Sequence, residues 1–134
     1  MEVNDIFSSV DIAISGMRAQ SKSMEIVSSN VANARTTDDG NGAPYRRLEA
    51  VLKAESDGIG GVTVADIAKD MGDFQRIFDP GSSQADEDGY ISMPNVNLPI
   101  EIMNLNLAAR TYQANAAILK RYQQMMETTI ELLR

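Results

Sequence analysis

The run Asp86-Glu87-Asp88-Gly89-Tyr90-Ile91 comes nearest to a spacing that could do chemistry. It sets Asp86, Asp88 and Gly89 at positions 3, 5 and 6 of a calcium-binding loop. Position 1 would be Gln84 and position 12 would be Asn95, so the bidentate glutamate is missing, and Pro94 interrupts the exit. A solvated turn is the better reading, and no metal is expected. The chain has no His and no Cys, which removes imidazole bases, triads, thiolate nucleophiles and the usual zinc ligands. Carboxylate, lysine and tyrosine chemistry would remain, but no arrangement supports it. There is no Gly-rich phosphate loop, Gly-x-Ser-x-Gly elbow or paired-His helix. The expectation is a protein without catalytic residues, cofactor or small-molecule substrate.

Charge narrows the partners. The chain has 134 residues, one domain's worth, and a net charge of −7. A nucleic-acid binder would need a basic face instead. Residues 1–35 hold four acids and three bases, residues 36–95 twelve and five, and residues 96–134 three and four. The imbalance therefore belongs to the middle, which also holds eight of the nine glycines. No stretch approaches the ~20 apolar residues of a membrane span. Glu2, Asp5 and Asp11, with no early Lys or Arg, do not read as a cleaved secretory signal. A protein of this kind working outside the cytoplasm would leave by a route that does not read one.

Two elements must organise the chain. Val3, Val10, Met17, Met24 and Val31 recur every seven residues. Ile6, Ala13, Gln20, Val27 and Ala34 follow three residues later, and Phe7 and Ile14 widen the stripe. This spacing predicts an amphipathic helix of about 30 residues with a coiled-coil seam, capped by Asn4 or Asp5. Gly16 would cost it about 1 kcal/mol relative to Ala, which points to another backbone passing close there. The C-terminal segment repeats the pattern with Leu98, Leu105, Tyr112, Leu119, Met126 and Leu133. Further rows are Ile118, Met125 and Leu132, and Ile102, Ala109, Ala116 and Ile130. Asn97 would cap this helix of about 35 residues, with Pro99 and Glu101 in its first turn.

An antiparallel pair is expected, but three to four apolar positions per heptad exceed the two that a pair needs. The surplus predicts burial against other subunits. Met17, Met24, Met103, Met125 and Met126 suit either an adaptable interface or ordinary core filling. In the middle, residues 45–52, 61–68, 74–78 and 89–93 are the strand candidates. They would form a small antiparallel sheet or a set of hairpins. The fold class is mainly α with a small β part: helical ends at 1–35 and 96–134 pairing as a coiled coil around a β- and turn-rich segment at 36–95.

Several motifs carry a resemblance. Ser15-Gly16-Met17-Arg18-Ala19-Gln20, Met24, Ser28-Ser29-Asn30-Val31-Ala32-Asn33 and the following threonines resemble the N-terminal motif of bacterial flagellar rod and hook proteins. Tyr45-Arg46-Arg47 is similar to the tyrosine-arginine stretch that follows it. Asn95-Val96-Asn97, Glu101, Asn104 and Arg110-Thr111-Tyr112-Gln113-Ala114-Asn115 resemble the C-terminal motif. The short middle looks most like that of a proximal rod member. Met71-Gly72, Ser82-Ser83 and Ile102 depart from the family's usual residues.

The resemblance implies a structural subunit of the basal-body rod, exported uncleaved by the flagellar type III apparatus. It would polymerise in the periplasm into a hollow drive shaft that transmits motor torque. Its partners would be its own copies, related rod proteins, and basal-body ring and export-gate proteins. The N-terminal part of the implied assembly interface is Ser15, Gly16, Met17, Ala19, Gln20, Met24, Ser28, Asn30, Val31, Ala32 and Asn33. The C-terminal part is Asn97, Glu101, Asn104, Leu105, Arg110, Tyr112, Gln113, Ala114, Asn115, Leu119 and Met126. Asn30, Asn33, Asn104 and Asn115 read either as amides bonded between helices or as solvated positions. The acidic middle reads as a solvated outer surface or as an electrostatic contact. The alternatives are another axial subunit of rod or hook type, or a cytoplasmic coiled-coil adaptor or export chaperone.

Overall fold

The structure, a computed structural model, describes residues 3–55 and 60–133, with side chains from residue 9 onward. Two long helices, α1 (Val3–Ala32) and α2 (Leu98–Leu132), run against each other. Gly16 meets Asn115, and Asn30 meets Glu101, so the pair is antiparallel. Between them lie β1 (Leu48–Ala54), β2 (Val62–Lys69), β3 (Gln75–Phe78) and β4 (Tyr90–Met93). The mainly helical class with a small β part holds. The strands form two separate antiparallel hairpins, β1 with β2 and β3 with β4. The first hairpin carries a register shift between Val51 and Leu52 and packs along α1.

Local chemistry explains the boundaries. Asn97 caps α2 through its side chain, which accepts from Ile100 N–H at 3.2 Å, with Pro in the first turn as expected. Asn4 and Asp5 fall inside α1 rather than at its cap, and their side chains lie outside the described residues. Residues 45–47 stay out of β1: the Tyr45 hydroxyl and the Arg47 side chain reach the helices, while the Arg46 side chain and the Arg47 N–H bond to the loops after β2 and before α2.

In the second hairpin, Phe78 and Tyr90 are cross-strand partners with ring centroids 5.2 Å apart at 65°. Gly89, at φ +81°, lets the turn close against the Phe78 ring. The Asp86 carboxylate accepts from Tyr90 N–H at 2.8 Å and Asp88 N–H at 3.1 Å, and it pairs with Arg76. The Tyr90 hydrogen bond and the Arg76 charge hold its pKa below the usual carboxylate range. The calcium-like run is therefore a turn whose leading oxygens are already bonded to their own loop.

The helix seam differs from the expected one. Among the described residues the buried apolar side chains are Ala13, Ala19, Ile26, Val27, Val96 and Ala108. Val10, Met17, Met24 and Val31 are only half-buried, as are Leu98, Leu105, Tyr112 and Leu119. Half of the buried set is alanine, so the helices approach closely and push the larger side chains to the flanks. Gly16 sits at the tightest point: a Cβ there would lie 2.6 Å from Asn115 Nδ2. Close approach does explain this glycine, although a side chain rather than a backbone makes it. Replacing Gly16 by Leu is expected to lower stability by about 1–3 kcal/mol through overpacking. Adding Asn115→Ala should recover part of the loss, and a double-mutant cycle in urea reads the coupling.

Candidate assembly site

The chain leaves α1 through a turn that returns it to the helix pair. The Asp38 carboxylate accepts from Gly40 N–H at 2.8 Å and Gly42 N–H at 2.9 Å, while Asp39 N–H bonds Ala43 O at 2.9 Å. Tyr45 N–H then donates to Thr36 O at 3.0 Å. This brings residues 45–48 beside the end of α1 and the start of α2.

A polar junction forms there around Asn30, which is fully buried. Its Oδ1 accepts from the Tyr45 hydroxyl and from Leu48 N–H, both at 2.9 Å. Its Nδ2 donates to Leu48 O at 2.9 Å and to Glu101 Oε2 at 3.0 Å. All four hydrogen bonds of the amide are made. Glu101 is also fully buried, and its Oε1 accepts from Arg47 Nε at 2.6 Å. Arg47 pairs further with Glu49 and approaches Asp70 at 3.6 Å. Burial works against the Arg47 charge, but the bonds and fields of Glu101 and Glu49 outweigh it and hold its pKa above the ordinary value. Arg47 N–H donates to Asn95 Oδ1 at 2.9 Å, and Asn95 Nδ2 donates to Asp70 O at 3.0 Å.

The first helix, the second helix and the middle are thus joined in one network of amides, carboxylates and a guanidinium. Among the described residues no buried side-chain nitrogen or oxygen lacks a partner. A buried ion pair adds little net stability, yet removing one partner is costly. The junction therefore specifies geometry more than it drives folding.

The residues of the expected interface divide by burial and partner. Asn30, Glu101 and Ala19 are buried within the chain, and Gly16 and Asn115 meet each other across the seam. Ser15 Oγ accepts from Val62 N–H at 3.1 Å and seats β2 on α1. Asn33 donates to Ser29 O at 2.9 Å and accepts from Thr36 Oγ1 at 3.2 Å, finishing α1. Gln20 and Asn104 line a groove of about 470 Å³ between α1, β1 and α2. Met17, Met24, Val31, Leu105, Tyr112 and Leu119 are half-buried along the seam. Ser28, Ala32, Asn97, Arg110, Gln113, Ala114 and Met126 are exposed.

Of the four asparagines, Asn30 bonds between helices and to the middle, whereas Asn33 bonds locally. Tyr45, Arg47 and Asn95 belong to the junction although the expected interface omits them. The signal for Tyr45 and Arg47 was a basic pair, Arg46-Arg47, beside a tyrosine in an otherwise acidic segment, and that for Asn95 was the Asn95-Val96-Asn97 stretch.

Outside the junction the structure leaves an apolar surface open. On α2, Ile100 is 50% exposed, Met103 69%, Leu107 66%, Ile118 50%, Met125 47% and Leu132 83%. At about 100° per residue these side chains, with Ala114, fall within an arc of roughly 60°. They form an apolar stripe about 48 Å long that Arg121, which falls in the same arc, interrupts. Patches of this extent on a soluble chain mark an interaction surface. Among the described residues no helix is long and apolar enough to cross a membrane.

The chain is similar to known proteins along nearly its whole length. The family described as flagella basal body rod protein matches residues 11–38, and the C-terminal family of flagellar basal body rod FlgEFG proteins matches residues 87–132. The chain is 42% identical over 127 residues to the flagellar basal-body rod protein FlgC of Agrobacterium fabrum, covering 92% of this chain and 91% of that protein. Identity to the same-named protein of Salmonella typhimurium is 37% over 125 residues, covering 91% and 93%. For that of Borreliella burgdorferi it is 31% over 149 residues, covering 96% and 98%.

Proposed function

The chain belongs to the family of flagellar basal body rod proteins, and on that premise we propose that it is a structural subunit of the proximal rod. Relatives named as rod proteins across nine-tenths of both chains support this reading. The observation that carries the mechanism is the open stripe on α2. A chain with only six buried apolar side chains among the described residues, half of them alanine, has little apolar burial of its own. Lateral contact with neighbours covers the stripe and adds apolar burial, so polymerisation further stabilises the long helices. The paired helices form the inner wall of a hollow shaft, and the acidic hairpins form its outer layer. Within the periplasmic rod, packing of many such subunits resists torsion. The N-terminal segment is exported uncleaved through the flagellar type III apparatus. Neighbours are further copies, related rod proteins, and the ring and export-gate proteins at the rod's ends. No feature of the relatives supports a cytoplasmic adaptor or chaperone, and a purely structural role leaves no chemistry for an enzyme.

The test is location. Basal bodies purified from the source bacterium and analysed by mass spectrometry are expected to contain the chain with its N-terminal segment intact. Recovery from the cytoplasm alone, with none in the basal bodies, would refute the reading.

A further inference from the structure

The turn that returns the chain from α1 holds the one asparagine followed by a glycine, Asn41-Gly42. Asparagine amides are among the thermolabile groups of proteins. The backbone nitrogen of the next residue can attack the side-chain amide, and glycine puts no Cβ in its way. The whole turn from Asp38 to Gly42 is exposed. A Cβ at Gly42 would meet nothing within 4 Å, so water and base reach this peptide. The Asn41 side chain makes no hydrogen bond. The attacking atom, by contrast, is held. Gly42 N–H donates to Asp38 Oδ1 at 2.9 Å, and Asn41 N–H donates to Asp39 Oδ1 at 3.0 Å. We propose that Asn41 is a spontaneous modification site, converted through a succinimide to aspartate and isoaspartate, and that the Asp38 carboxylate holds it in check in the folded chain. This chemistry is independent of the rod-subunit reading.

The step needs only water as co-reactant. The Gly42 nitrogen loses its proton and bonds Asn41 Cγ, the Cγ–Nδ2 bond breaks, and the amide nitrogen leaves as ammonia with that proton. Water then opens the ring at either carbonyl. One opening gives aspartate at position 41, and the other routes the backbone through the side-chain carboxyl as isoaspartate. Both add a negative charge to a segment that already holds twelve acids against five bases. Attack requires the nitrogen to turn toward Cγ, within about 3–3.5 Å, and to give up its proton. Asp38 opposes both. Its oxygen fixes the direction of the N–H, and its charge disfavours an anionic nitrogen beside it. Gly40 N–H donates to the same oxygen at 2.8 Å and keeps the carboxylate in place. The unfolded chain has no such lock, so the site records time spent unfolded. The damage would reach the junction. Isoaspartate adds one backbone atom between the Gly40 and Gly42 N–H groups, so the turn can no longer present both to Asp38. Tyr45 follows shortly after, with its N–H on Thr36 O and its hydroxyl on Asn30.

The test follows Asn41 in the purified full-length chain, held in mildly alkaline buffer with and without urea. Peptide mapping by mass spectrometry reads the amide-to-acid change at Asn41, and labelling by an isoaspartyl methyltransferase counts isoaspartate. The native chain is compared with Asp38→Ala and Asp38→Asn, each checked by circular dichroism for folding before the clock starts. In urea all three are expected to convert at one fast rate. Folded Asp38→Ala should convert Asn41 several-fold to about tenfold faster than the folded native chain, the weight of one hydrogen bond to a charged group. Asp38→Asn keeps an acceptor oxygen without the charge and should fall between them. It carries the comparison if Asp38→Ala does not fold. A folded native chain that converts as fast as the chain in urea would overturn the proposal. So would folded variants that match the native rate, or an Asn41 that stays an amide in urea.

Discussion

Replacing Asn30 by alanine is expected to destabilise the chain by about 2–5 kcal/mol and to abolish swimming. The substitution removes every partner that the amide supplies: to the Tyr45 hydroxyl, to both backbone groups of Leu48 and to Glu101. Each buried polar group left unpaired costs about 1–3 kcal/mol, and the total is limited by water that enters the gap. Stability of a single domain is only about 5–15 kcal/mol, so the loss is a large fraction of it. Tyr45→Phe removes one hydroxyl and should cost about 1 kcal/mol. Glu101→Gln keeps the shape but leaves the Arg47 guanidinium beside a neutral amide, with an expected cost of about 3 kcal/mol. Urea melts followed by circular dichroism rank the three variants. An Asn30→Ala chain as stable as Tyr45→Phe would show that the junction does not hold the helices.

The second large effect separates assembly from folding. Leu107→Asp and Ile118→Asp place a charge on side chains that are 66% and 50% exposed. The isolated chain should change by no more than about 0.5 kcal/mol, since exposed substitutions rarely do more. In a polymer the same carboxylates would be buried unpaired against apolar neighbours, a penalty of several kcal/mol at every contact. The expected outcome is normal protein level, an unchanged melt, and no motility on soft agar. Val27→Asp is the contrasting control, because Val27 is buried within the chain and should fail at the level of folding. Motility retained by both surface variants would mean that the stripe faces solvent in the rod.

How much of this could be read in the sequence follows from what periodicity reports. Both helices were legible, because sustained heptads and the Asn97 cap are local signals. The four strand segments were legible from β-branched alternation and turn residues, to within about three positions. The seam was legible only in part. Periodicity weights large apolar residues, but close packing selects small ones, so Ala13, Gly16, Ala19 and Ala108 occupy the contact while Met17 and Met24 move aside. The surplus apolar face expected on α2 is present in the stripe. The junction was the least accessible feature. Arg47 and Glu101 are 54 positions apart and Asn30 and Glu101 are 71 apart, so neither local propensity nor periodicity reports on them. Family motifs named Asn30 and Glu101 as important, but not that they face each other inside one subunit.

The junction also makes the native chain a test of its own completeness. Asn30 and Arg47 belong to the first third or so of the sequence, but their buried carboxylate comes from Glu101. A chain terminated anywhere before Glu101 would leave a guanidinium and an amide without their shared acceptor. Closing a loop of 71 residues also postpones any reward until that late segment is available. Truncated products therefore lack the helix pair and its junction and are expected to be more open to proteolysis. The same long-range closure that fixes the helix pair would thus disfavour fragments, which cannot complete the junction that a full subunit carries into an assembly.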